Sequence, residues 1–291
     1  MEEQLYSACR DGKVEEVKQL LQNQQINTNC SYENRTPLFI SCEKGHIEVV
    51  KLLLNDERVD INKPDEYGET PFLIACDHGF VEIVKLLLND ERVDVNKEDD
   101  HFSTTPLKTA CQQNLIDVVK LLLNDQRVDV NKRDKYGQTP LLIACDCEYI
   151  EIVKLLINEQ RVDLNKGTEE EEISPLVLAC QEGYIEIAKL LLSNERIDIN
   201  RLDNFGVTPL YNACEKGHIE IVEYILSSRK EINFTLKDWN GKTAMDIAIE
   251  RKDKCEKIVE VLESFQKNPN ETKLRLRKKL GLAGNLFIFY I

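Results

Sequence analysis

Apolar residues in this chain fall into short blocks with helical spacing, and the blocks return at a fixed interval. Ile150 to Leu156 reads Ile-Glu-Ile-Val-Lys-Leu-Leu, with apolar positions that gather on one helix face. Ahead of it, Leu141, Leu142, Ile143, Ala144 and Cys145 make a second short apolar helix, whose small Ala-Cys pair lets another helix approach closely. A break separates the two helices: Gly45, Gly79, Gly183 and Gly217 in four copies, Asn114 or Glu148 elsewhere. Each pair opens on Thr-Pro-Leu or a near copy, at Thr36, Thr70, Thr105, Thr139, Ser174 and Thr208, with a worn Thr-Ala-Met at Thr243. Thr suits a helix cap, and Pro suits the first helical position, where its missing N–H has no partner to lose. The intervals alternate between 34 and 35 residues, a self-similarity that marks a repeat array. One such unit cannot bury its apolar face alone, so neighbours must stack.

The second helices carry an acid and a base three positions apart: Glu48 and Lys51, Glu82 and Lys85, Asp117 and Lys120, Glu151 and Lys154, Glu186 and Lys189. Such pairs share a helix face and contribute roughly 0.2–0.5 kcal/mol each. The last copy departs, with Glu220 facing Glu223. A polar run such as Asn-Asp-Glu-Arg-Val-Asp-Val-Asn and a Gly turn follow each second helix, which predicts an extended, hairpin-like projection. Arg58, Arg92, Arg127 and Arg161 each stand two residues before an Asp (Asp60, Asp94, Asp129, Asp163), and Arg196 with Asp198 continues the row. This predicts an Arg–Asp ladder bridging neighbouring loops.

Thr-Pro-Leu, then Ala-Cys, Gly-His, Val-Val-Lys-Leu-Leu-Leu and Asp-Ile-Asn, in that order and in recurring register, resemble ankyrin repeats over about residues 1–263. The resemblance implies an all-α ankyrin-repeat solenoid with projecting β-hairpin-like loops. There are departures. The His that usually follows Thr-Pro-Leu is replaced by Phe39, Leu73, Lys108, Leu142, Val177 and Tyr211, and Cys replaces the second Ala of the usual pair. The predicted organisation is an N-terminal cap at 1–35, six full repeats at 36–242, a C-terminal cap repeat at 243–263 and a tail at 264–291, with about eight helix pairs in all.

Composition narrows the function. The net charge of −14 and pI near 4.9 lack the basic footprint of a general nucleic-acid binder. The charge is uneven, because residues 264–291 hold six Lys or Arg and one acid. Seven of the ten cysteines (Cys9, Cys42, Cys76, Cys111, Cys145, Cys180 and Cys214) keep one helix register, which predicts small core residues rather than disulfides. Cys145 and Cys147 lack the second pair of a zinc site. Reduced thiols and an N-terminus unlike a signal peptide predict a cytoplasmic protein, with the nucleus as the other compartment.

The tail changes character. Asn268, Pro269 and Glu271 read as a helix start, the basic stretch Lys273 to Lys279 follows, and then an apolar end too short to span a bilayer. Three readings stay open: the tail folds back on the last repeat, anchors peripherally to a membrane or partner, or has no role. Phe289 to Ile291 is also a candidate C-terminal carboxylate ligand.

No catalytic, cofactor-binding or metal-binding constellation is found, so function is predicted to be a surface property and the chain not to be an enzyme. His46 and His218 occupy the Gly-His slot between helices. In the family that slot serves packing and hydrogen bonding, and the loop tips and ends of the first helices form a concave face that grips partners. Carried over by position, the candidates are Tyr67, Phe102, Tyr136, Phe205 and Trp239 at the tips. An acid or amide row follows at Glu43, Asp77, Gln112, Asp146, Gln181 and Glu215. Regular aromatics are hot-spot candidates, although such rings also stack on adjacent loops. The predicted partner is a protein segment with basic and apolar side chains, bound by a scaffold or adaptor. The alternative is an adaptor or enzyme regulator recruited to a membrane surface or larger complex through the tail.

Overall fold

The computed structural model describes residues 1–282, except the side chains of residues 252–254. The apolar end from residue 283, including the carboxylate-ligand reading of Phe289 to Ile291, lies outside the described residues. The chain forms two compact units, Met1–Ile143 and the part from Ala144 onward.

The first unit pairs α1 (Glu2–Arg10) with α2 (Val14–Leu21), α3 (Pro37–Glu43) with α4 (Ile47–Leu54), α5 (Pro71–Asp77) with α6 (Val81–Leu88), and α7 (Pro106–Gln112) with α8 (Ile116–Asn124). First helices pack on first helices (α1 on α3, α3 on α5, α5 on α7), and second helices pack on second helices in the same order. Helix α9 (Pro140–Asp146) runs across the division. The second unit continues with α10 (Ile150–Asn158), α11 (Pro175–Glu182), α12 (Ile185–Ser193), α13 (Pro209–Lys216), α14 (Ile219–Ser227), α15 (Ala244–Glu250), α16 (Lys252–Lys267) and α17 (Pro269–Lys279). Here α11 packs on α13, α13 on α15, α10 on α12 and α12 on α14.

Local chemistry sets each start and stop. The hydroxyls of Thr36, Thr70, Thr105, Thr139, Ser174 and Thr208 accept the N–H three residues on, at 3.1–3.3 Å. Each such cap stabilises by about 1 kcal/mol. Thr243 adds a reciprocal capping box with Asp246. Between the helices of the first seven pairs the chain takes a left-handed residue, at Gly12, Gly45, Gly79, Asn114, Glu148, Gly183 and Gly217. At Gly183 a side chain would also collide, since a Cβ there would lie 2.6 Å from the His218 ring. His218 and His46 reach back with Nε2 to the carbonyls of Gln181 (3.3 Å) and Arg10 (2.9 Å), so these imidazoles clamp each unit to the one before it.

The seven register cysteines are buried between helices as free thiols. Burial pushes the Cys9 thiol up to about 12 and raises the others further still. They stay protonated at neutral pH and serve as small apolar fillers.

The loops depart from expectation. No strand exists among the described residues; one isolated bridge joins Tyr32 and Arg35. The β-branched pairs Val59/Ile61, Val93/Val95, Val128/Val130 and Ile197/Ile199 sit in consecutive turns with both side chains buried. The Arg–Asp ladder is also corrected. Arg58, Arg92 and Arg127 pair with the Asp two residues before them (Asp56, Asp90, Asp125; 2.6–2.7 Å), and Arg161 pairs with Glu159. Their guanidiniums then cap the preceding second helix at its last carbonyls, Leu21, Leu54 and Leu88, where the helix dipole favours a cation. The Asp after each Arg is occupied by the N–H of the following Asn. That Asn bridges the loops. Asn62 donates to the Arg92 carbonyl (2.7 Å) and accepts from Asp94 N–H (2.8 Å), and Asn29, Asn96, Asn165 and Asn200 repeat the pattern.

All five predicted acid–base pairs on the second helices form, at 2.6–3.1 Å. In the departing copy, Glu220 shares Lys189 of α12 with Glu186 (3.2 Å) and Glu223 takes Lys279 from α17. Helix α17 thus lies back on α14 and α16 and buries Leu276. Pro269 opens it as expected, but the Asn268 side chain makes no cap hydrogen bond. Thr272 ties the helix down instead, donating its hydroxyl to the Ser264 carbonyl (2.9 Å).

Candidate functional site

An Asp shapes five of the loop tips, while before Ser174 the Thr168 hydroxyl accepts the Ile173 N–H (3.2 Å) in its place. Asp65 Oδ1 accepts the N–H groups of Tyr67 (2.9 Å) and Glu69 (3.0 Å), and Asp134 does the same for Tyr136 and Gln138, Asp203 for Phe205 and Val207. In the longer loop, Asp99 gathers His101, Phe102 and Thr104. With these donors taken by a side chain, the tip cannot extend a ladder. Tips are instead joined singly: the Tyr67 carbonyl accepts from Asp100 N–H, that of Phe102 from Lys135, and that of Phe205 from Trp239.

The tips push their aromatic residues outward. Tyr67, Phe102, Tyr136, Phe205 and Trp239 are all exposed, Trp239 by 75%. They also touch one another. In the first unit Tyr67 meets His101 (5.3 Å between centroids), His101 meets Phe102 (6.2 Å), and Phe102 meets Tyr136 (6.4 Å). Lys135 Nζ lies 4.1 Å from the Phe102 centroid and 5.1 Å from that of Tyr136. In the second unit Phe205 meets Trp239 at 5.5 Å. The rings therefore stack on neighbours and still present a face to solvent.

The acid and amide row is divided. Asp77 and Gln112 line one groove of about 480 Å³ together with Tyr67, Phe102, Glu69, Asp99 and His101. Glu43 is tied to Arg35 (3.3 Å) and Lys44 (3.2 Å), Gln181 to Glu182, and Glu215 to Arg251 (3.1 Å). Asp146 is exposed.

Sequence reasoning missed Glu69 and the tip-shaping Asp residues. Their signal was register: Asp stands five before Thr70, Thr139, Thr208 and Thr243, and six before Thr105. It also missed what replaces the family His. Lys108 Nζ reaches Asp134 at 2.6 Å with both side chains buried, and Tyr211 Oη donates to Asp238 at 2.9 Å. Two of the substituted positions thus hold the next tip in place.

Among the described residues no cluster of His, Cys, Asp and Glu is placed to hold a metal ion, and no described helix is long and apolar enough to cross a membrane. Stacked helix pairs with a row of outward side chains define a helical repeat protein built to present a surface. A family model described as ankyrin repeats (3 copies) matches residues 5–99, 91–168, 110–203 and 176–273, and the chain belongs to the ankyrin-repeat family. No curated protein matches the chain. Ankyrin repeats generally mediate protein–protein interaction.

Proposed function

We propose that this chain is a non-catalytic scaffold or adaptor whose loop tips and adjoining first helices hold a partner protein segment with basic and apolar side chains. The observation that carries this reading is the groove of the first unit, where exposed rings stand beside carboxylates. Aromatic anchors supply affinity, and complementary charge speeds encounter and rejects wrong partners. Changing Tyr67, Tyr136 and Phe205 together to Ala, followed by affinity purification with crosslinking, is expected to lower partner recovery about tenfold. Undiminished recovery from a folded variant overturns the proposal. The alternative, recruitment through the tail, has less to act on within α17, because Arg277 donates to the Ser227 carbonyl (3.1 Å) and Lys279 is held by Glu223. Arg275 and Lys278 face outward.

A further inference from the structure

We infer that the notch flanked by Tyr67, His101 and Phe102 seats an arginine side chain of the partner, its guanidinium against the rings and paired with Glu69 and Asp77. This rests on the protein-binding reading above and names the group recognised at one place on that surface.

The notch carries negative charge that no cation within it neutralises; Arg35, outside it, is paired with Glu43 and acts on Glu69 only at a distance. None of the residues lining the notch is Lys or Arg, while Glu69, Asp77 and Asp99 all are acids. The Glu69 carboxylate makes no hydrogen bond or ion pair with any described residue, and burial, then Asp65, Asp77 and Asp99, push it above the usual range. Asp65, nine-tenths buried beneath the same tip, has an Oδ2 that accepts no hydrogen bond. Unpaired carboxylates held out of water cost stability, and a cation relieves that cost.

The neighbouring tip shows what chemistry the geometry accepts. One repeat on, the chain supplies its own cations: Lys108 on Asp134, and Lys135 over the Phe102 and Tyr136 rings. In the notch the positions that match by distance from the repeat Thr are Leu73 and His101, and the residue that makes the tip-joining bond of Lys135 is an acid, Asp100. Where the later tip closes on its own lysines, this one leaves the charge to be met by another molecule. Arginine fits better than lysine, because a planar guanidinium stacks on rings and pairs with carboxylates through two N–H groups at once.

The test uses the full chain and two fluorescein-labelled peptides, acetyl-Gly-Leu-Arg-Leu-Gly-amide and the same peptide with neutral citrulline for arginine, read by fluorescence anisotropy. The arginine peptide is expected to bind about tenfold more tightly than the citrulline peptide, and Glu69→Gln or Phe102→Ala to remove most of that difference. Glu91→Gln, an exposed acid on the loop after α6, should leave it unchanged. Circular dichroism checks that each variant is folded. Equal binding of the two peptides, no binding of either, or full affinity in folded Glu69→Gln overturns the assignment. If arginine binding ignores Glu69→Gln but is lost in the triple tip variant, the notch is wrong and the platform stands. If the triple variant also keeps its partners, both readings fall.

Discussion

Glu223 and Lys279 stand 56 positions apart in the chain, and the lysine Nζ lies 2.6 and 2.7 Å from the two carboxylate oxygens. Glu223 occupies the place where α4, α6, α8, α10 and α12 carry Lys, and it is only 5% exposed. The break in the repeat pattern is therefore the receptor for the tail helix. A Lys at 223 would restore the local pair with Glu220 and repel Lys279.

Removing the lysine tests this directly. Lys279→Met leaves Glu223 without its donor, but Lys279 itself is largely exposed, so the expected cost is about 1 kcal/mol. Amide exchange over residues 269–279 should then speed by about fivefold. Glu223→Lys should do more, and the Glu223→Lys/Lys279→Glu swap should restore protection. Unchanged exchange in all three would show that α17 is held by Leu276 and Thr272 alone.

The Lys108–Asp134 pair should behave differently, because its side chains are 6% and 0% exposed. Lys108→Leu, which copies Leu73 and Leu142 in register, strands a buried carboxylate and is expected to cost about 3 kcal/mol in urea unfolding. Lys108→Tyr should lose much less, since Tyr211 already makes the equivalent bond to Asp238. Equal losses for the two variants would reduce the role of Lys108 to packing.

Glu69 predicts a stability change of the opposite sign. A carboxyl whose folded pKa lies above its unfolded value binds its proton more tightly in the native state. Stability is therefore lost as pH rises from the unfolded carboxyl range through the raised folded value. Glu69→Gln should raise the Tm at pH 7 by about 1–3 °C, and the gain should vanish once both states are protonated, below about pH 4. A lower Tm at pH 7 would mean that Glu69 supports the fold rather than waiting for a cation.

Much of this architecture was legible because it is local or periodic. Thr70 and Pro71 cap and start a helix wherever they stand, and Cys76 keeps its register because helix packing repeats. The loops were misread for an equally local reason. Val93 and Val95 favour strands, but the Asp90 and Asp94 side chains take the N–H groups of Arg92 and Asn96, and buried turns result. The Arg–Asp spacing pointed to the wrong partner because sequence distance does not say which carboxylate shares a plane with a guanidinium, and Arg58 finds Asp56. The aromatic tips were legible as positions; that Tyr67 and Phe102 share a groove with Asp77, Gln112 and the unpaired Glu69 was not.

By itself, then, the order of residues determined the repeat, its helix pairs, their caps and the thiol-filled core, since each depends on contacts within one unit or the same contact copied to the next. The tertiary structure decided where the copies differ. Lys108 closes one tip while Leu73 leaves another charged, and Glu223 is completed by a helix from the tail. Those outcomes depend on which unlike residues meet across neighbouring copies, and burial makes each meeting matter.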